Sequence, residues 1–140
     1  MLNYDTTRLE KNCSQLLTTL GKSLTWKWDK RFETVLAEFS VSDKEKIHQI
    51  LAGHMGETWE KDNADKAPEV VQVVINYFGG LNQGQALLTS APDQDGLLLC
   101  AWWPWGNGKT ISIRLAVFAN SLSDEDNDEL TKTFRGWFGL

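Results

Sequence analysis

The 140-residue chain is 41% hydrophobic and 24% charged, with a net charge of −5. This composition is ordinary for a globular protein and sufficient for one apolar core without a metal or disulfide, so we expect a single domain over residues 1–140. The N-terminus lacks the basic and apolar regions of a signal peptide, and no apolar run approaches the about 20 residues that span a bilayer. The expected location is therefore the cytoplasm, with no membrane partner.

The charge is unevenly distributed along the chain. Residues 1–66 carry ten lysines and arginines against eleven acids, whereas residues 67–140 carry four against eight. Because nucleic-acid binding depends on clustered cations, this distribution argues against a nucleic-acid partner. An acidic half suits a basic protein surface, although acidity also serves solubility.

Two residue types stand out in the composition. The two cysteines, Cys13 and Cys100, each lie in an apolar periodic segment and are expected to be buried thiols. Tryptophan occurs seven times, and it is a residue type that fills cores and also dominates many binding surfaces. Tryptophan content alone therefore does not separate a core role from a binding role.

Four helices are predicted in the first eighty residues. The first carries an apolar stripe at helical spacing and ends at Gly21. A second is predicted to begin at Asp29, a third at a capping box over 42–45, and a fourth at Pro68. The apolar face of the second helix would consist of Phe32, Val35, Leu36 and Phe39. Residues 24–28 alternate as in a short strand or an extended approach, and 57–66 are predicted to be a helix tail and an exposed loop.

After Gly80 the apolar period changes from that of a helix to two. This change predicts a three-stranded antiparallel meander over about 85–119, with strands at 85–90, 97–103 and 109–119. A C-terminal helix is predicted from about 124, capped by Ser121 or Ser123. Helices followed by a meander and a last helix constitute an α+β layout.

The hairpin between the last two strands is predicted to turn at 104–108, which would place Ala101 opposite Ile111 and Leu97 opposite Leu115. One face of the hairpin would then be an evident core, made of Leu97, Leu99, Ala101, Ile111, Ile113, Leu115 and Val117. The other face would present Leu98, Cys100, Trp102, Thr110, Ser112 and Arg114. That second face is too apolar for plain solvent and too polar for a core, so a helix or a partner is expected to cover it.

Three motifs of the sequence bear on cofactor or metal chemistry. Residues 106–110 end like a phosphate-binding loop, but a strand pattern follows where that loop requires a helix, and Asn-Gly is a hairpin signal. Asp124, Asp126 and Asp128 match the start of a calcium loop, whose glycine and final glutamate are missing. His54 and Glu57 are too few ligands for zinc. We predict no cofactor, no metal and no recognisable catalytic residue.

The leading functional hypothesis is a small, acidic, non-enzymatic protein-binding module of the inhibitor, immunity-protein or dedicated-chaperone type. Its partner would be another protein with a basic surface. Two alternatives stay open: a small-molecule or peptide binder with a tryptophan-lined pocket, and a small enzyme whose site is assembled from scattered acids with His48 or His54. A deep closed pocket with buried polar groups would favour these alternatives, and an open apolar and acidic patch would favour the first hypothesis.

Six residues are predicted to contact the partner. Trp102, Trp105 and Arg114 are of the types that most often dominate binding energy, and the register above places Arg114 near enough to lie over the Trp102 ring. A core role for the two tryptophans is the competing interpretation. Asp124, Glu125 and Asp128, at the start of the last helix, would steer a basic partner and also suit the helix dipole.

Overall fold

The computed structural model describes residues 3–91 and 96–140, apart from the side chain of Ser23. Within these ranges it contains four α-helices: α1 (Thr7–Leu20), α2 (Lys44–Met55), α3 (Glu69–Tyr77) and α4 (Asp124–Trp137). The strands are β1 (Lys27–Asp29), β2 (Thr34–Ser40), β3 (Glu57–Glu60), β4 (Ala86–Thr89), β5 (Gly96–Pro104) and β6 (Thr110–Ala119). They form one six-stranded sheet in the order β1-β2-β6-β5-β4-β3, and every neighbouring pair is antiparallel.

Helices cover both faces of this sheet. One face packs against α1, α2 and α4, whose inward side chains include Leu16, Leu51 and Phe134. The other face packs against α3 through a smaller apolar cluster that contains Val74 and Ile75. Because both faces are covered, the central strands are apolar on both sides, and nearly all of β4 and β5 is buried.

The first predicted helix, which ends at Gly21, and the predicted helices from 42, from 68 and from about 124 are confirmed, as are the three predicted strands. At the start of α1, the Thr7 amide donates to Asp5 Oδ1 at 3.0 Å. At the start of α4, the Asp126 amide donates to Ser123 Oγ at 3.1 Å. These bonds satisfy amides that a helix N-terminus leaves unpaired.

The predicted fold class is wrong in its details, although the α+β description holds. The sheet has six strands rather than a three-stranded meander, and the segment predicted as a helix from Asp29 forms the turn after β1 and then strand β2. The spacing of Val35, Leu36 and Phe39 also fits a strand, because Val35, Ala37 and Phe39 alternate inward. Pairing with β6 over Val35–Ser40 decides between the two periods. Glu57–Glu60, predicted as a helix tail and loop, is edge strand β3, which pairs with β4.

The predicted hairpin register is also wrong. Ala101 lies opposite Arg114 and not Ile111, and Cys100 lies opposite Leu115. The turn lies at 105–109, one residue later than predicted. Asn107 Oδ1 accepts hydrogen bonds from the Lys109 and Thr110 amides at 2.8 and 3.2 Å, and Gly108 takes a left-handed φ of 69°. The observed register of β5 against β6 differs from the predicted one by three residues. Because this shift is an odd number, each side chain of β5 lies on the opposite face of the sheet from the one predicted relative to β6. Leu97, Leu99 and Ala101 therefore face α3, whereas the inward residues of β6 face α1, α2 and α4.

Candidate functional site

The structure separates the two tryptophans that were predicted to contact a partner. Trp102 is only 4% exposed, and its ring packs 5.6 Å from the Phe39 ring and 5.1 Å from the His48 ring. Trp105 lies at the tip of the β5–β6 hairpin and is 44% exposed. Trp102 thus belongs to the core beneath α2, and Trp105 remains accessible to a partner.

The predicted register implied that Arg114 lies over the Trp102 ring, but in the structure it does not. It points to the opposite face, where its guanidinium carbon lies 4.3 Å from the Trp103 ring centroid and 5.5 Å from that of Phe32. Its Nε donates to Asp29 Oδ2 at 2.9 Å, and both side chains of this ion pair are mostly buried. These contacts attach the β1–β2 turn to the sheet, so Arg114 has a structural role in the folded chain.

The acids at the start of α4 border a cleft of about 240 Å³. Asp124 and Asp128 line it, whereas Glu125 is exposed and lies outside its lining. Trp105 is at the other end of β6, whose ten residues extend roughly 30 Å. The structure therefore brings two of the six predicted contact residues together at one site and leaves the other four elsewhere.

The floor of the cleft is apolar. It is formed by the face of the sheet that α3 only partly covers, by α3 itself and by the turn after β1. The apolar lining side chains are Phe32, Val73, Val74, Tyr77, Phe78, Leu99, Ala116 and Phe118. Val73 and Tyr77 are 38% and 55% exposed, which places two of the exposed large apolar side chains of the described chain at this site. Exposed apolar surface beside a cleft is typical of a binding site.

The turn between β1 and β2 is fixed against α3 at one wall of the cleft. The Tyr77 hydroxyl donates to the Phe32 carbonyl oxygen at 2.8 Å, and the Phe32 and Phe78 rings lie 5.4 Å apart. Glu33 has a φ of 53°, and it is the non-glycine residue with positive φ among the described residues. A side-chain-bearing residue in this conformation is uncommon and is found in turns and at functional sites. Here the conformation occurs in the turn just before β2, and the Glu33 side chain lies on the cleft wall.

The charge of the cleft is negative. Within the described residues, its lining contains the carboxylates of Glu33, Asp124 and Asp128 and no lysine or arginine. The pKa of Tyr77 is raised above its ordinary value by burial first, and then by the negative charges of Glu33, Asp29 and Asp128. Arg31 and Arg114 lie 5.0 and 5.5 Å from the Phe32 ring centroid, so two cations flank this wall, and Arg114 is paired with Asp29. An apolar floor with an acidic rim is complementary to an apolar group that carries a positive charge.

Most of this site was missed in the sequence. Phe32 and Glu33 fall in the helix predicted from Asp29, where the structure has a turn, and Tyr77 falls in a predicted helix that is apolar nearly all round. Two signals were present in the sequence. An α3 segment that is apolar nearly all round must expose part of its surface on a protein this small, and the acids at the start of α4 are clustered. Only the tertiary fold, however, brings residues 32–34, 73–78 and 124–131 together.

Other features of the structure bear on the alternative functions. In the described ranges, no group of three or more His, Cys, Asp or Glu residues is arranged to hold a metal ion. No hydrogen bond joins His48 to a carboxylate in the described part of the chain, and Cys13 and Cys100 are free and buried. Burial raises the pKa of both thiols, that of Cys13 to about 12, which makes them poor nucleophiles. No helix in the described residues is long and apolar enough to cross a membrane.

Comparisons with protein families, with characterised proteins and with solved structures found no match to this chain.

Proposed function

We propose that this protein is a non-enzymatic protein-binding module whose acidic, apolar cleft receives a basic segment of its partner. The observation that supports it is the cleft itself, in which Glu33, Asp124 and Asp128 surround an apolar floor open to solvent. Carboxylates at the rim attract a basic partner during encounter, and the apolar floor supplies the burial that slows dissociation.

The shape of the cleft favours a protein segment over an enclosed small molecule as its occupant. Its volume of about 240 Å³ is below the roughly 300–1,000 Å³ of pockets that enclose a drug-sized ligand. Phenylalanine and tyrosine, rather than tryptophan, provide its aromatic lining. Polar groups that are positioned to bind a small ligand would be expected to include buried atoms without a hydrogen-bond partner. In the described residues, every buried side-chain nitrogen and oxygen has such a partner. An inhibitor, an immunity protein or a dedicated chaperone would use such a surface.

The test is a comparison of partner binding between two matched triple variants. The first neutralises the cleft with Glu33→Gln, Asp124→Asn and Asp128→Asn. The second removes the same charge from acids outside the cleft, at or just before the starts of α1 and α2, with Glu10→Gln, Asp43→Asn and Glu45→Gln. Proteins captured from host extract on the wild-type chain are purified, and their association rates are measured at several salt concentrations.

The expected result is that the cleft variant slows association at least tenfold at low salt and flattens the salt dependence, because steering charges act on the encounter rate. The control variant should remain within about threefold of the wild type, since surface charges distant from the interface contribute little. Equal association rates for the two variants would show that the cleft does not receive the partner and would overturn the proposal.

A further inference from the structure

One edge of strand β6 is unpaired where it passes the cleft. On one side, β5 pairs with β6 along its length up to Ala119. On the other side, the pairing with β2 begins at Val35, opposite Leu115, and Glu33, which precedes β2, lies in the turn with a positive φ. Residues 116–119 therefore have a strand neighbour on one side only, within the described part of the chain.

The hydrogen bonds of the two ladders show where the backbone of Val117 points. The Val41 amide donates to the Lys109 carbonyl at 2.9 Å. Because alternate pairs of an antiparallel ladder exchange hydrogen bonds, every odd-numbered residue of β6 directs its N–H and C=O toward β2. The next exchanging pair after Val35 and Leu115 would be Glu33 and Val117, and the turn at Glu33 prevents it.

Two further bonds agree with this direction. The side chain of Asn127 bonds the Ala119 N–H and C=O at 3.0 and 2.8 Å, so Asn127 occupies the position of a strand partner at that end of the edge. Opposite Val117 on β5, Leu98 bonds to Ser90 on the far side, away from β6. The N–H and C=O of Val117 thus lie between β2 and Asn127, and no residue in 3–91 or 96–140 hydrogen-bonds to them.

This backbone pair belongs to the cleft. The side chain of Val117 is 5% exposed and packs in the core beneath α1, α2 and α4. Val117 also lines the cleft. A free donor and acceptor at a sheet edge form the hydrogen-bonding pattern that an added strand completes.

We propose that the occupant of the cleft is an extended segment of the partner, which pairs one residue with Val117 and places a cationic and an apolar side chain in the cleft. This inference rests on the proposed function and specifies the chemistry of the segment. In an antiparallel bridge, like every other pair in this sheet, the residue opposite Val117 directs its side chain to the covered α4 face, where a small residue is required. Its two neighbours direct theirs to the face of Phe118, which is the cleft floor. The recognised pattern is therefore a small residue flanked by a cation and an apolar residue, in either order along the segment.

The test uses blocked tripeptides as probes of the intact chain. Acetyl-Lys-Ala-Leu-amide and its reverse, acetyl-Leu-Ala-Lys-amide, are titrated into labelled protein, and the amide resonances of Val117 and Phe118 are followed by NMR. At least one of the two should shift the Val117 amide with a saturable dependence. Replacing lysine by glutamate should weaken binding at least tenfold, because the rim is negative.

Methylation of single amides distinguishes strand addition from simple docking of side chains. Methylating the alanine nitrogen removes the group that donates to the Val117 carbonyl and should weaken binding about three- to tenfold, as expected for one hydrogen bond. Methylating the nitrogen of the residue after alanine should change affinity less than twofold, since neighbouring N–H groups in a strand point the other way.

Three results would overturn the inference: equal effects of the two methylations, equal binding of lysine and glutamate peptides, or no response of the Val117 amide to any peptide. If any of these occurs while the cleft variant still associates with the partner more slowly than the wild type, the proposed function is supported and the extended segment is rejected. If the peptides bind as expected while the cleft variant and its control associate with the partner at equal rates, the proposed function is rejected by its own test.

Discussion

The guanidinium of Arg114 lies over the Trp103 ring at 4.3 Å while its Nε donates to Asp29 at 2.9 Å. This contact joins residues 85 positions apart in sequence and connects the β1–β2 hairpin to the centre of the sheet. Asp29 also accepts hydrogen bonds from the Arg31 amide and, at 3.4 Å, from the Thr34 hydroxyl. Arg114 therefore positions the turn that forms one wall of the cleft.

Arg114→Ala should lower the free energy of unfolding by about 3 kcal/mol, because it leaves the Asp29 carboxylate buried without its cation. Arg114→Lys should be less destabilising, since lysine retains the charge but has neither the planar stacking surface nor the Nε donor. Urea denaturation of the three proteins measures both effects. A loss below about 1 kcal/mol for Arg114→Ala would show that the contact does not stabilise the fold and would restore Arg114 as a candidate contact residue.

Trp102 and Trp105 should respond in opposite ways to truncation. Trp102→Ala removes a ring that is 4% exposed and should destabilise by about 3–5 kcal/mol. Trp105→Ala removes a ring that is 44% exposed, so the melting temperature should change little. If Trp105 contacts the partner, its truncation should weaken binding by about 2 kcal/mol, as for other tryptophan hot spots. Unchanged binding would remove Trp105 from the interface and leave the cleft as the site to test.

The register of β5 and β6 is testable with a double-mutant cycle. Leu97 and Leu115 are both fully buried, but the structure places them on opposite faces of the sheet. Leu97→Ala and Leu115→Ala should each destabilise by about 2–5 kcal/mol, and their effects should add to within about 0.5 kcal/mol. Cys100→Ala with Leu115→Ala is the matched comparison, because these two side chains are directly opposite and should couple. Strong coupling between Leu97 and Leu115 would support the register predicted from the sequence.

These comparisons explain how much of the fold the sequence could predict. The stripes of α1 and α4 were predictable because each helix buries one face, and the period of such a stripe is unambiguous. The β2 segment was not predictable, since Val35 and Phe39 fit both periods and a partner strand much later in the chain, β6, decides between them. The face to which each β5 side chain points was not predictable for a different reason. Both faces of β5 are buried, so apolar and polar residues do not alternate along the strand.

The candidate site was predictable only in part, for a related physical reason. Asp124 and Asp128 could be proposed from their local clustering, since acids at a helix start carry a local signal. Glu33 and Tyr77 lie far apart in sequence and carry no shared pattern, and the free edge at Val117 is created by where β2 begins. A site assembled from segment ends is set by tertiary structure and leaves little trace in local periodicity.

Tyr77 should report the negative charge of the cleft through its ionisation. Its pKa is raised from the ordinary value of 10.0 by burial, and then by the charges of Glu33, Asp29 and Asp128. The chain has two tyrosines, so the difference in phenolate absorbance between wild type and Tyr77→Phe isolates this residue. Glu33→Gln with Asp128→Asn should lower the pKa of Tyr77 toward its ordinary value without reaching it, because burial remains. Glu10→Gln with Glu45→Gln is the control and should leave it unchanged.

The same shift predicts how stability depends on pH. Because the folded-state pKa of Tyr77 is above the unfolded value, the folded protein retains its proton where the unfolded chain has lost it. The contribution to stability is therefore complete below about pH 10 and decreases as the pH rises from the unfolded pKa through the folded one. Ionisation also removes the proton that Tyr77 donates to the Phe32 carbonyl. In denaturant titrations above pH 10, Tyr77→Phe should lose stability less steeply than the wild type, and parallel curves would show that Tyr77 ionises without effect on the cleft wall.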